Sequence, residues 1–231
     1  MSSTPHPQIK DVTALAAATG GYWIDDRHLL HGPNVSVHLI PEASTQPVIH
    51  PRSAILHTNA GVTSAKSLWA WITRAGNTGE PHFQVGYDII EQYMPLNVRA
   101  DCNYSANSFK IAGSTLAYGA ISFETQDNGS ASINNTPWKP AQFTTLIGVL
   151  SCLAVVYGVH CTQPATWDGS GIGHHSLFPF QGVRFKSWTN VRGKTCPGRA
   201  RIAQMDAIRN GVAHQLAEYG HATGWKCAGA K

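Results

Sequence analysis

The sequence predicts an α/β protein, a mixed central β-sheet flanked by helices, and three observations point there. The run PAQFTTLIGVLSCLAVVYGV repeats Phe143, Leu146, Ile147, Leu150, Leu153, Ala154 and Tyr157 at spacings of three and four, one continuous apolar helix face. Two short apolar runs, SAIL at Ser53–Leu56 and YGAISFE at Tyr118–Glu124, read as buried strands. Helical and strand-like segments alternate without tight βαβ repeats, so the sheet is mixed and helices cover its faces.

In chain order, the polar start ends in an Ala-rich helix, DVTALAAATG, stopped at Gly20-Gly21; residues 1–21 read as a leader or linker. From Tyr22 to Pro51, apolar pairs alternate with Pro, Asn and Gly, which fits loops and short strands. The Ser53–Leu56 strand delivers His57 to a turn rich in Thr, Asn and Gly. Ser64 opens a helix with Leu68, Trp71 and Ile72 on one face and Gly76 at its end. In PHFQVGYDIIEQYMP, Phe83, Val85 and Tyr87 alternate and Ile89–Tyr93 returns, a hairpin turning near Asp88. A last helix runs from about Arg199 to Tyr219 with Ile202, Met205, Ile208, Val212 and Leu216 inward. The main domain is expected over 22–225, with 226–231 as a tail.

The chain has 231 residues, of which 42% are hydrophobic, enough for one sizeable core. A formal charge of +4 without a basic run carrying interleaved aromatics argues against nucleic acid as a partner. The N-terminus lacks a charged start followed by an apolar stretch, so no signal peptide is expected. The longest apolar run is short and interrupted, so no membrane insertion is expected. Five irregularly spaced cysteines suggest free thiols and synthesis in a reducing compartment rather than a disulfide framework. Cys152, inside the helical apolar pattern, reads as a buried structural thiol. No CxxC pair occurs, which excludes a four-cysteine zinc site.

Three places present candidate metal ligands at the ends of elements: His57 after a strand, His174/His175 in a Gly-flanked segment, and Cys196 just before a helix. Two imidazoles and one thiolate form a three-ligand zinc set that leaves a fourth position open. Amide hydrolysis there needs a base and a donor for the developing oxyanion. Lys194 lies two residues before Cys196, so in an extended segment both side chains face one site. Glu124 ends an apolar strand where a carboxylate has little structural purpose. Trp69, Trp71, Trp138, Trp167 and Trp188 are mostly packing residues by base expectation, with Trp167 and Trp188 set beside the ligand segments for substrate contact. Asn59 either hydrogen-bonds substrate or caps a turn. His50, His82 and His160 read as structural.

The order of HTNAG, YGAISFETQDNG, PAQFTTLIGVLSCLAVVYGV, GIGHHSLFP and KTCPG resembles the zinc N-acetylmuramoyl-L-alanine amidases of the peptidoglycan-recognition, or type 2 amidase, fold. It looks most like the amidase domains of endolysins from phages of mycobacteria and their relatives, over about Ile49 to Tyr219. The resemblance implies a zinc ion held by His57, His175 and Cys196, with Glu124 as general base and Lys194 as the cation. Asn59, His174 and Trp188 would line the substrate site. His174 is the alternative ligand; His175 is favoured because such phage domains read Gly-aromatic-His-Ser/Thr. Some relatives carry a tyrosine where Glu124 stands. The long stretch between His175 and Cys196 is expected to shape the substrate groove. The implied partner is bacterial peptidoglycan, cut by a monomeric enzyme made in the host cytoplasm and acting on the wall after release. A non-catalytic wall-binding module and a cysteine peptidase using Cys196 are the competing readings.

Overall fold

The computed structural model describes residues 12–59, 65–74, 79–127, 136–224 and 226–227. Within them, a seven-stranded mixed sheet is flanked by helices, most of them packed on one face in the main core, with one short helix and long loops on the other. The strands are β3 (Val35–Val37), β4 (His50–Leu56), β5 (Phe83–Val85), β6 (Ile90–Gln92), β7 (Phe109–Lys110), β8 (Ala117–Thr125) and β9 (Gly171–His174). Their order is β3-β6-β5-β8-β4-β9, with β7 paired antiparallel to β8. Strand β4 runs parallel to both β8 and β9, and β5 and β6 form the expected antiparallel hairpin, closed by the Gly86 amide on the Ile89 carbonyl. A separate two-stranded ribbon, β1 (Trp23–Ile24) and β2 (Leu30–His31), occupies the Tyr22–Pro51 region ahead of β3.

Alternation along the strands separates two environments. Ala54 and Leu56 of β4, Ile121 and Phe123 of β8 and Ile172 of β9 join the main core with helices α3 (Pro140–Tyr157) and α5 (Met205–Thr223). Ile55 and Ala120 point the other way, where they meet Ala106 and the fully buried Trp188. Helix α3 follows its apolar pattern; Pro140 sits at its start, where a missing N–H costs nothing, and Gly158 ends it in the left-handed region at φ 70°. By length and composition α3 could cross a membrane, but most of it is buried against the sheet and α5.

Several expectations change. Helix α1 (Val12–Ala18), the short helix of the leader or linker reading, buries Leu15 completely in the main core and packs on α5. The expected last helix is two, α4 (Arg199–Ile202) and α5, separated by turn residues Ala203 and Gln204. Gln204 clasps both main-chain groups of Trp138, and buried Arg201 donates to the carbonyls of Thr125, Gln126 and Thr136; these tertiary bonds outweigh a continuous helical pattern. Helix α2 (Ala65–Ile72) buries Leu68 and Ile72, whereas Trp71 is 51% exposed rather than on the inner face. Its expected caps, Ser64 and Gly76, lie outside the described residues. Cys161 and Cys227 form a disulfide, so the thiols are not all free; Cys102, Cys152 and Cys196 are. Partners 66 residues apart leave no local spacing signal.

Candidate metal centre

Three strand ends and one loop converge on the face opposite the helices. His57 follows β4, and its amide donates to the Phe123 carbonyl of β8. His175 follows β9, its amide on the Leu56 carbonyl. Cys196 is clamped from both sides: its carbonyl accepts from Ser176 N–H, and its sulfur accepts from Thr58 N–H at 3.3 Å. The candidate ligand atoms of His57, His175 and Cys196 all lie within 4.8 Å of one another, and all three residues are buried. The two rings approach to 4.1 Å between centroids.

Strand alternation sends the adjacent histidines to opposite faces of the sheet. In β9, Ile172 joins the helix-side core and His174 shares its face, near Arg209 of α5 and hydrogen-bonded through Nδ1 to the Ser176 hydroxyl at 3.1 Å. Gly173 and His175 face the other side. A Cβ on Gly173 would meet the Trp188 ring at 2.6 Å, so glycine lets that ring approach the strand closely. His174 is therefore outside the ligand cluster and off the cavity wall.

Each clustered imidazole has one nitrogen engaged by the protein. His57 Nε2 donates to Asn103 Oδ1 at 2.8 Å, and the Trp188 backbone bonds the His175 ring. His175 Nδ1 is buried with no hydrogen-bond partner. Burial holds both rings neutral: His57 is pushed down to about 3, against the raising effect of Asn103, and His175 well below its ordinary value. Burial also pushes the Cys196 thiol up to about 12, with nearby Glu124 adding to it. A buried orphan imidazole nitrogen beside a second neutral imidazole and a sulfur is a donor set that fits zinc.

A cavity of about 540 Å³ opens over this cluster, lined by His57, His175 and Cys196 together with Glu124 and Lys194. Glu124 Oε1 lies 3.7 Å from His57 Nδ1, and its other oxygen is buried without a hydrogen bond. Burial pushes the Glu124 carboxyl up to about 8, with Lys194 the main opposing influence. Trp71, Arg99, Asp101, Cys102 and Tyr104 also line its wall. Trp71 and Tyr104 are both exposed; the sequence reads Trp71 as a packing residue, since an aromatic at helical spacing looks like core until the helix is seen to sit on a cavity rim, and Tyr104 carries no signal in the sequence. Trp188 reaches the wall but is 0% exposed, packed with Ile55, Ala106 and Ala120 and with its indole N–H on the Trp167 carbonyl at 2.6 Å. Asn59 is tied by its amide to the Thr125 carbonyl, and neither it nor His174 is among the described residues of the wall.

The mixed sheet flanked by helices is the peptidoglycan-recognition, or type 2 amidase, fold, and solved structures share that fold. The catalytic domain of XlyA matches with a TM-score of 0.52 at 18% identity, covering 78% of this chain and 99% of that one. A mutant endolysin from Bacillus subtilis gives the same TM-score, identity and coverage. The Staphylococcus aureus hydrolase AmiA, solved in complex with its ligand, matches with a TM-score of 0.53 at 11% identity over 81% of this chain and 87% of its own. No protein-family model matches the sequence, and no curated protein matches it.

Proposed function

We propose that the chain is a peptidoglycan hydrolase, a zinc-dependent N-acetylmuramoyl-L-alanine amidase of the endolysin kind. It would hydrolyse the amide between the lactyl group of N-acetylmuramic acid and the first L-alanine of the stem peptide. The observation that carries this reading is the buried His57/His175/Cys196 cluster on the wall of an open cavity that also holds Glu124 and Lys194. The solved structures of this fold include a catalytic domain, an endolysin and a hydrolase, which supports the same direction. We further propose synthesis in the cytoplasm of a mycobacterial-type host, action on the wall after release, and a monomeric state.

When bound, zinc supplies an electrophile for the scissile carbonyl and lowers the pKa of water at the site. Glu124 takes the proton as water attacks and returns it to the departing L-alanine nitrogen; its elevated pKa suits a group that must both accept and give. Lys194 faces the same cavity and offers its ammonium to the negative charge developing on the carbonyl oxygen. Asn103 and the Trp188 backbone hold the two rings in place. The cavity, whose wall also holds the exposed Trp71 and Tyr104, would take the stem peptide or sugar.

A cysteine peptidase is less well supported. Its nucleophile must reach the thiolate readily, whereas Cys196 is buried with a raised pKa and stands outside α4, which begins at Arg199. A pure binding module would have no use for a buried carboxylate and an ammonium beside the cluster. The purified protein should contain about one zinc per chain, lose wall-lytic activity on chelation and regain it on adding zinc. Full activity in a metal-free preparation would reject the proposal.

A further inference from the structure

We propose that Asn103 is a positioning residue for the metal ligands: its side-chain oxygen fixes the proton of His57 on Nε2 and so presents Nδ1 to the metal. The inference rests on the zinc reading above. Asn103 is completely buried, and its Oδ1 accepts from His57 Nε2 at 2.8 Å. An imidazole bonded this way keeps a lone pair on Nδ1, the nitrogen that faces Glu124 at 3.7 Å.

The ordinary role for a buried Asn in this position is a helix cap, since Asn103 precedes the 3-10 turn Tyr104–Ala106. Its side chain makes no capping bond there. Its Nδ2 is left buried and without a partner, which a residue selected only for local turn chemistry would avoid. What the side chain does satisfy is His57, 46 positions earlier in the chain.

The surrounding loop is braced so that the oxygen stays in place. The Asn103 amide donates to Asn107 Oδ1 at 2.5 Å, and the Ala106 amide donates to the Asn103 carbonyl at 2.9 Å. Asn107 Nδ2 then donates to Asp101 Oδ1 at 3.2 Å, where Arg99 Nε also donates at 2.7 Å. A continuous polar chain thus runs from Arg99 on the cavity wall to His57.

The test measures zinc affinity by competition with a chromogenic chelator, together with the ring-nitrogen NMR spectrum of the zinc-loaded protein. Zinc binding by the unaltered chain reports on the functional reading; differences among variants report on Asn103. Asn103→Leu should weaken zinc binding by 10- to 100-fold, the usual scale for losing an outer-shell partner. Asn103→Asp keeps an acceptor oxygen and should retain the unaltered affinity or exceed it. The unaltered protein should show the His57 proton on Nε2, in slow exchange and hydrogen-bonded, an outcome that needs no variant to fold. Unaltered zinc affinity in Asn103→Leu would overturn the proposal. So would equal losses in the Leu and Asp variants, or a His57 proton on Nδ1.

Discussion

Glu124 and Lys194 share the cavity wall with the His/His/Cys cluster without belonging to it, so altering them separates chemistry from metal binding. Glu124→Ala and Lys194→Ala should each keep zinc and the fold while losing about 100-fold in turnover, the scale for removing a general base or an oxyanion donor. Unchanged turnover in Glu124→Ala would move the base to another group. Metal analysis of the ligand variants gives the complementary result. Cys196→Ser and His175→Ala should lose most bound zinc, whereas His174→Ala, directed toward Arg209 and Ser176, should keep it. Zinc loss in His174→Ala equal to that in His175→Ala would contradict the strand-alternation assignment. At this scale much of the site was legible, because His57, Cys196 and Lys194 sit at element ends where sequence marks a change of pattern. The adjacent histidines stayed ambiguous until β9 supplied a phase. Asn103 carries no signal at all: an Asn in a polar loop looks the same whether it faces solvent or a buried imidazole.

Trp188 shows how an element-scale view changes a residue's meaning. Its flanking position suggested substrate contact, but the ring lies under Gly173 and against Ile55, Ala106 and Ala120. Trp188→Ala should therefore cost about 3–5 kcal/mol of stability, measured by denaturant unfolding, as expected for emptying a packed aromatic site. A variant with unchanged stability and only a raised KM would return Trp188 to substrate binding. Gly173→Val should act in the same direction, since its side chain would enter the space of the same ring. The long periodic helix α3, the β5–β6 hairpin and the inner strands β4 and β8 were readable because their burial follows a simple period. Strand β9 was not, since GIGH offers too little apolar alternation to stand out. The break between α4 and α5 was hidden because no Gly or Pro marks it; Arg201 and Gln204 make it through bonds to distant carbonyls.

Across the whole molecule, burial of neutral histidines links stability to pH. His82 is enclosed between Ser122 and the Val98 carbonyl, and burial pushes its pKa down from 6.5 to about 4. Below pH 6.5 the unfolded chain takes up a proton that the folded chain refuses, so stability is full above that pH and falls until about pH 4. The loss from this one ring is ~3 kcal/mol, and buried His57 and half-buried His174 shift in the same direction. Urea unfolding of the metal-free protein at pH 7 and pH 5 should show the decline, and His82→Gln should reduce its slope; an equal slope would remove His82 from the account. The enclosing contacts come from segments far apart in sequence, as do Cys161 and Cys227, which is why neither was legible in a linear reading. The central claim concerns which bond is cut, and mass spectrometry of digested mycobacterial-type peptidoglycan tests it most directly. The account predicts whole stem peptides with a new amino terminus at L-alanine, and intact glycan strands ending their side groups in the free lactyl acid. Cleavage within the stem peptide, or new reducing sugar ends, would contradict it even in a protein that binds zinc.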